Sequence, residues 1–298
     1  MSRHKKSGCG QVVLHSMLGF YALVCILPIL LILIVSFSSE ASINAKGFSF
    51  FPTSFTLEAY SYMLGFGGQV VQSYLVTIYE TVCGTFLSLL LCSLFGYALS
   101  RKDFVLRGFL SIFLLITMLF SGGLVSTFVV YSQMYGLRNN LLVLILPGAV
   151  GAFNVFVFRT FIVANVPESL VDAAKIDGAG EFRLFFTIVI PIMKPVLAAL
   201  GFMLAVGHWN EWQTAFLYID NAKYATLQLM LMRIEKEISF LLENMNRLTP
   251  EEMLMFKNIP NESTRMAILM VTLGPIMIAY PFFQKYFVKG ITIGAVKG

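Results

Sequence analysis

Hydrophobic residues fall in long runs along most of this chain, separated by short charged intervals. A helix needs about 20 apolar residues to cross a bilayer. Six runs have that character: 15–37, 72–98, 107–131, 141–163, 187–217 and 266–287. The polar intervals predict smaller elements. Residues 38–71 contain Phe48-Ser49-Phe50-Phe51-Pro52 and then Thr56-Leu57-Glu58-Ala59-Tyr60, a turn followed by a short helix against the membrane. Residues 132–140 make a brief connection, and residues 218–265 are long enough for structure of their own. Within them Leu227, Leu231, Ile234, Ile238 and Leu241 recur at spacings of three and four, the pattern of an amphipathic helix. Thr249-Pro250-Glu251-Glu252 carries a capping signature and predicts a second short helix.

Composition agrees with this pattern. Of the 298 residues, 57% are hydrophobic and 12% charged, against about 25% charged in soluble domains. An all-α integral membrane protein with six transmembrane helices is expected. The first run follows Arg3, Lys5 and Lys6, but its apolar core outruns the usual 7–15 residues of a cleavable signal. It reads as a retained signal-anchor helix. Cys9, Cys25, Cys83 and Cys92 have neither CxxC nor metal-ligand spacing, so no metal site is expected. The net charge of +5 arises from basic residues flanking the apolar runs, which points to topology and not to nucleic acid.

Lysine and arginine set the orientation, because cytoplasmic loops carry the excess of both. With a cytoplasmic N-terminus, the inner segments hold Arg3, Lys5, Lys6; Arg101, Lys102, Arg107; Arg159, Lys175, Arg183, Lys194; and Lys285, Lys289, Lys297. The two shorter outer loops hold only Lys46 and Arg138. The long outer loop, 218–265, mixes six basic with seven acidic residues, and its length weakens its influence. Both termini and residues 165–186 are therefore expected in the cytoplasm.

The cytoplasmic segment NVPESLVDAAKIDGAGEFRLFF is compact and rich in small residues. Pro167 suits a first helical turn, where its missing N–H would be unpaired anyway. Glu168 and Asp172 lie near the helix N-terminus, where negative charge is favoured. Leu170, Ala173, Ala174 and Asp177 are expected along one face, open to close approach by another protein. Gly178 and Gly180 permit a sharp turn, after which Phe182, Phe185 and Phe186 anchor the next helix. The segment reads as an elbow wired to the fifth span, or as an amphipathic loop resting on lipid headgroups.

Asp172-Ala173-Ala174-Lys175-Ile176-Asp177-Gly178-Ala179, followed by Ile188-Val189-Ile190-Pro191 and Pro195, resembles the EAA motif of permease subunits in binding-protein-dependent ABC importers. Asp172 stands where that family usually has Glu, with the same charge and a shorter reach. Trp209-Asn210-Glu211-Trp212 is similar to a run found in sugar importers of the maltose-permease type. Tyr224-Ala225-Thr226-Leu227-Gln228 and the long outer loop resemble the subgroup around LplC and YtcP. The resemblance extends from about residue 72 to the end of the sixth span.

It implies a type I ABC importer transmembrane domain whose elbow is a coupling helix, with Asp172, Ala173, Ala174, Lys175, Asp177, Gly178, Glu181 and Pro191 as the ATPase-coupling residues. It also implies the partners: a second homologous permease, two ATPase subunits on the cytoplasmic face, and an extracellular solute-binding lipoprotein, in a bacterial cell membrane. The chain has no GxxxxGK[ST] loop. ATP and Mg²⁺ would then be bound by the partner ATPase, with no cofactor and no catalytic residue in this chain. Three regions follow: 1–71 (tail, first helix and outer loop), 72–287 (transmembrane domain with elbow 165–186 and outer loop 218–265), and 288–298 (cytoplasmic tail).

Polar residues inside spans are costly and mark candidate pathways. Trp209, Asn210 and Glu211, with Glu80 in the second span, are the substrate-path candidates. His208 and Gln133 are weaker ones. Rings stack on sugars and carboxylates accept from hydroxyls, but tryptophans also populate the interfacial belt and Asn also bonds between helices. Glu80 has the alternative of facing a polar residue of the partner subunit. Gly122-Gly123 marks a break or a close packing contact in the third span. Import of an oligosaccharide is the leading reading. The alternatives are the same architecture for another solute, or an ion-coupled secondary transporter. The last would show related halves with broken helices, which this sequence lacks.

Overall fold

The computed structural model describes residues 8–65, 67–243 and 262–295, and the chain separates into two compact units. The predicted helix at 249–252 lies outside the described residues. Among the described residues there is no strand, only an isolated bridge between Ser38 and Phe55.

One unit comprises residues up to Gly67 together with Arg233–Pro275. Its long helix α1 (Gly8–Ser36) is apolar beyond Ser16 and leaves most of its large side chains exposed, as a lipid-facing helix would. Two short helices follow, α2 (Glu40–Lys46) and α3 (Glu58–Gly65). The expected turn and helix are both present, and α2 is an addition. Its sequence signal was available: the side chain of Ser39 caps it by accepting from the Ser42 N–H. The phenol of Tyr60 stacks on Phe37 at 4.9 Å and meets the Ser36 hydroxyl at 2.9 Å, tying α3 to the end of α1. The Glu40 carboxylate accepts from both the N–H and the hydroxyl of Ser263, at 2.9 Å each. Ser263 lies in the first turn of the last described helix, Glu262–Ala295, where a negative charge is favoured.

The second unit comprises Gly68–Met232 with the residues from Ile276 onward. Its axis is α4 (Gly68–Ser100). Further along lie α5 (Arg107–Leu119), α6 (Leu124–Val129) and α7 (Ala152–Asn165), then the elbow helix α8 (Glu168–Ile176). After α8 come α9 (Glu181–Leu184), a π turn at Phe185–Val189, and α10 (Ile190–Trp209). The short α11 (Gln213–Tyr218) precedes α12 (Leu227–Glu243), whose residues from Arg233 onward belong to the first unit. The amphipathic helix predicted from Leu227 onward is α12, with Leu227, Leu231 and Ile234 buried.

α4 packs against both α7 and α10, and its own sequence explains how. Small residues recur every fourth position: Gly84, Ser88, Cys92, Gly96 and Ser100. In membranes such stripes let backbones approach closely. A Cβ placed on Gly96 would lie 2.6 Å from the Phe158 Cβ and 3.0 Å from the Arg159 amide nitrogen, so α4 and α7 touch there backbone to backbone. At Gly84 the neighbour is the imidazole of His208, at 2.7 Å from the same hypothetical atom. Around these contacts a core forms from Tyr97, Leu99, Phe158, Ile162, Leu184, Phe185 and Met193.

Among the described residues, Gly10–Ser36, Gly68–Ser100, Glu181–Trp209 and Glu262–Pro281 are each long and apolar enough to cross a membrane. Two expected spans are not single helices. The run 107–131 is bent by 114° between Leu119 and Leu124. Gly123 there has φ 78°, which suits a break, and among the described residues nothing lies within 4 Å of a Cβ added to Gly122 or Gly123. The run 141–163 holds a 3₁₀ turn at Leu141–Leu144, an irregular stretch through Pro147 and Gly151, and only then α7. The fifth run also stops early: α10 ends at Trp209, eight residues before the expected limit of 217 (217 − 209).

Candidate functional site

Two places gather the sequence-predicted residues. The first is the elbow. Pro167 immediately precedes α8, and Asp177 closes it. Gly178 follows with φ 77°, a conformation that costs a side chain energy but not glycine. Gly180 needs no such freedom; its backbone is extended and it opens α9. Val171 and Ala174 turn inward to join the core. The face foreseen for Leu170, Ala173, Ala174 and Asp177 is therefore split, because Ala174 shares the inner side with Val171 three residues before it. Leu170, Asp172, Ala173 and Ile176 remain outside, and Ile176 is 86% exposed. Phe185 is buried, whereas Phe182 and Phe186 are exposed. Pro191 lies exposed in the first turn of α10.

Lys175 and Glu181, at the two ends of the turn, are joined at 2.9 Å. Both also reach α4 and the loop after it. The Tyr97 hydroxyl, on α4, donates to Glu181. Lys175 donates to Asp103 at 3.0 Å, and Arg101 grips the same carboxylate with Nε at 3.2 Å and Nη2 at 3.1 Å. Lys102 meets Glu168, at the start of α8, at 2.7 Å. These bonds shift the groups as expected. The bonds from Arg101 and then Lys175 pull the Asp103 carboxyl down to about 2, Lys102 lowers Glu168, and Glu181 with Asp103 raises Lys175.

The second place is the end of α10. Trp209 is buried, 7% exposed, with its ring 6.2 Å from Tyr74 of α4. Asn210 is exposed and spends its amide on the Val206 carbonyl at 2.9 Å, closing the helix. One oxygen of Glu211 accepts from the Thr214 N–H at 2.8 Å and caps α11. Beside them opens a cleft of about 380 Å³, lined by Phe153, Asn154, Met203, His208, Glu211 and Thr214 among others. Glu80 does not line it. It is completely buried on α4, on the same face as Thr77 and Gly84, between the Leu227 N–H bonded to Thr77 and the imidazole resting on Gly84. Neither Glu80 oxygen has a hydrogen-bond partner among the described residues. The four substrate-path candidates are thus split: Glu211 at the cleft, Asn210 and Trp209 holding the helix end, and Glu80 in the interior.

No protein-family model matches the chain. It is 36% identical to the polygalacturonan/rhamnogalacturonan transport system permease protein YtcP of Bacillus subtilis, over 97% of this chain and 98% of YtcP. The chain belongs to the sugar permeases of ABC importers. This permease is also 34% identical to protein LplC of Bacillus subtilis over 94% of the chain and 92% of LplC. It is 30% identical to the arabinooligosaccharide permease AraQ of Halalkalibacterium halodurans, over 94% of each. A chain in the crystal structure of a bacterial ABC transporter that imports the acidic polysaccharide alginate superimposes with TM-score 0.79 at 27% identity, covering 96% of this permease and 99% of that chain. The permease is thus a multi-pass, all-α membrane protein and a transport subunit for carbohydrate.

Sequence reasoning missed Tyr97, Arg101, Lys102 and Asp103 at the elbow. Arg101 and Lys102 entered only as markers of orientation. One signal was present: Asp103, an acid among the cations of a loop expected to be cytoplasmic, where it adds nothing to topology.

Proposed function

We propose that this permease forms half of the translocation pore for an oligosaccharide, together with a second homologous permease, and that its elbow docks on a cytoplasmic ATPase subunit. In this reading six segments cross the membrane, both termini and residues 165–186 are cytoplasmic, and a solute-binding lipoprotein delivers the sugar from outside. ATP and Mg²⁺ bind to the ATPase pair, and this chain contributes no catalytic group. The observation that carries the reading is α8. Its inner face, Val171 and Ala174, is packed into the core, while Leu170, Ala173 and Ile176 stay uncovered around Asp172. A short helix with apolar residues on both sides suits a protein groove better than water.

ATP binding closes the ATPase pair, moves the elbow, and tilts the span Glu181–Trp209 that begins where the elbow turns. By linkage, a loaded binding protein that favours the outward-facing pore also favours the closed ATPase pair. At the far end of α10, Glu211 and its neighbours offer hydroxyl acceptors and an aromatic wall to a sugar. YtcP and the alginate importer are named for acidic polymers and AraQ for arabinooligosaccharides, which supports an oligosaccharide here.

The test is ATP-dependent uptake in vesicles holding this permease with its partner permease, ATPase and binding protein. Gly178→Val, which places a β-branched residue at φ 77°, and Asp172→Lys are each expected to abolish uptake while membrane insertion persists. Wild-type uptake in both variants would end the coupling reading.

A further inference from the structure

The elbow is joined by sequence to the span that follows it, but its polar contacts lead elsewhere. Glu168, Lys175 and Glu181 are spread over both sides of the turn, and every ion pair they make beyond the elbow goes to the α4–α5 loop. Tyr97, in the last turn of α4, adds a hydrogen bond to Glu181 from a nearly buried position. Arg101 holds Asp103 from the helix side, so the carboxylate that receives Lys175 is itself fixed to the end of α4. The contacts form a closed chain: α4, Arg101, Asp103, Lys175, Glu181, and back to α4 through Tyr97.

We propose that this chain of contacts is a strap that makes α4 a second lever, so that displacement of the elbow is delivered to α4 as well as to the span Glu181–Trp209. Asp103 and Tyr97 are its positioning residues. They touch neither ATP nor sugar, and act through Lys175 and Glu181. The arrangement gives α4 a mechanical reason to follow the elbow. A single α10 lever would slide along α4, whereas a strapped pair moves together at the inner end. Because α4 also carries Gly84 under His208, its movement changes the surroundings of the cleft at the end of α10. The inference rests on the coupling role proposed for the elbow.

The experiment uses the assembled importer in proteoliposomes with its binding protein. Asp103→Asn removes the charge shared by Arg101 and Lys175, and Tyr97→Phe removes the hydroxyl from Glu181 with little change of shape. A cysteine at Thr81 or at Met203, in an otherwise cysteine-free chain, reports movement of α4 or α10 by its ATP-dependent labelling. The strap predicts that the double variant assembles in normal amount and keeps its basal ATP hydrolysis. It also predicts a fall in transport per ATP of about tenfold, within the usual range of coupling factors, and loss of the ATP-dependent labelling change at position 81 while that at 203 persists. Tyr97→Phe alone, which leaves every ion pair in place, is expected to show a smaller loss of the same kind. An undiminished transport ratio with an unchanged labelling response at position 81 would overturn the strap. Gly178→Val, measured in parallel, separates the two ideas. If it abolishes transport while the strap variants do not, the elbow reading stands and the strap fails. If it transports normally, the elbow reading fails and the strap with it.

Discussion

The end of α4 beside the elbow and its middle handle charge in opposite ways. At the elbow, Arg101, Lys102, Asp103, Glu168, Lys175 and Glu181 are all paired, and most of their side chains stay in contact with water. Some 20 residues back from Ser100 along the same helix, Glu80 is completely buried with no partner among the described residues. Exposed ion pairs contribute at most about 1 kcal/mol each, so the elbow's network sets direction and not stability. A buried unpartnered carboxyl costs stability, so the middle of α4 keeps its acid at a structural penalty. Changes at the elbow are therefore expected to alter coupling and spare the fold, and changes in the middle to do the reverse.

The largest expected effect is steric and lies in the packed region. Gly96→Val puts side-chain atoms where the backbone of α7 stands, since even a Cβ would lie 3.1 Å from the Val155 carbonyl oxygen. Overpacking of this kind costs about 1–3 kcal/mol or more. The variant is expected to lower the thermal midpoint of the detergent-solubilised permease sharply, and an unchanged midpoint would show that α4 and α7 can part there. Of intermediate size and opposite sign is Glu80→Met, which replaces the buried carboxyl with an apolar chain of similar length. It is expected to raise the midpoint, by an amount on the order of 1–3 kcal/mol in stability. A fall, seen only when the partner permease is present, would show that Glu80 meets a polar group of that subunit.

The smallest effect is the pH response of the strap. Asp103 is drawn from an ordinary value of about 4 down to about 2. Its folded value is the lower one, so its contribution is fully present above pH 4 and is lost as pH falls through 2. With Asp103 and Lys175 left in place, the distance between spin labels at the exposed positions Phe95 on α4 and Ser169 on α8 is expected to stay the same between pH 8 and 5 as at pH 7. A change in that range would mean that another group controls the distance between α4 and the elbow.

Much of the helical framework was legible in the sequence, and little of this contrast. The apolar runs 15–37 and 72–98 predicted helices that extend over Gly8–Ser36 and Gly68–Ser100, the three-four spacing predicted α12, and Pro167 and Gly178 marked the bounds of α8. These are local signals, set by period, cap and turn. The breaks near Pro147 and Trp209 were hidden because apolarity measures compatibility with lipid and says little about where a helix stops. The strap was hidden for another reason. Lys175 and Asp103 are 72 residues apart, and no periodicity links them; only the packing of α4 against α7 and α10 brings them together. The split among Trp209, Asn210, Glu211 and Glu80 has the same origin, since neighbours in a motif part company when the helix ends between them.

The π turn at Phe185–Val189 bears on how this permease tolerates insertions and deletions. Each residue of an α-helix advances by about 100°, and a π turn holds one residue more than an α turn. The extra residue is absorbed within that single turn, so the faces of α10 beyond Val189 keep the direction a regular helix one residue shorter would give them. Deleting a single residue from the turn would leave a regular helix with those faces nearly unchanged, whereas deleting one from the regular part of α10 would swing everything beyond it by about 100°. In that second case Trp209 would leave Tyr74, and His208 would leave the hollow over Gly84. The π turn is therefore where this span tolerates a change of length, and the regular helix after it is where it does not.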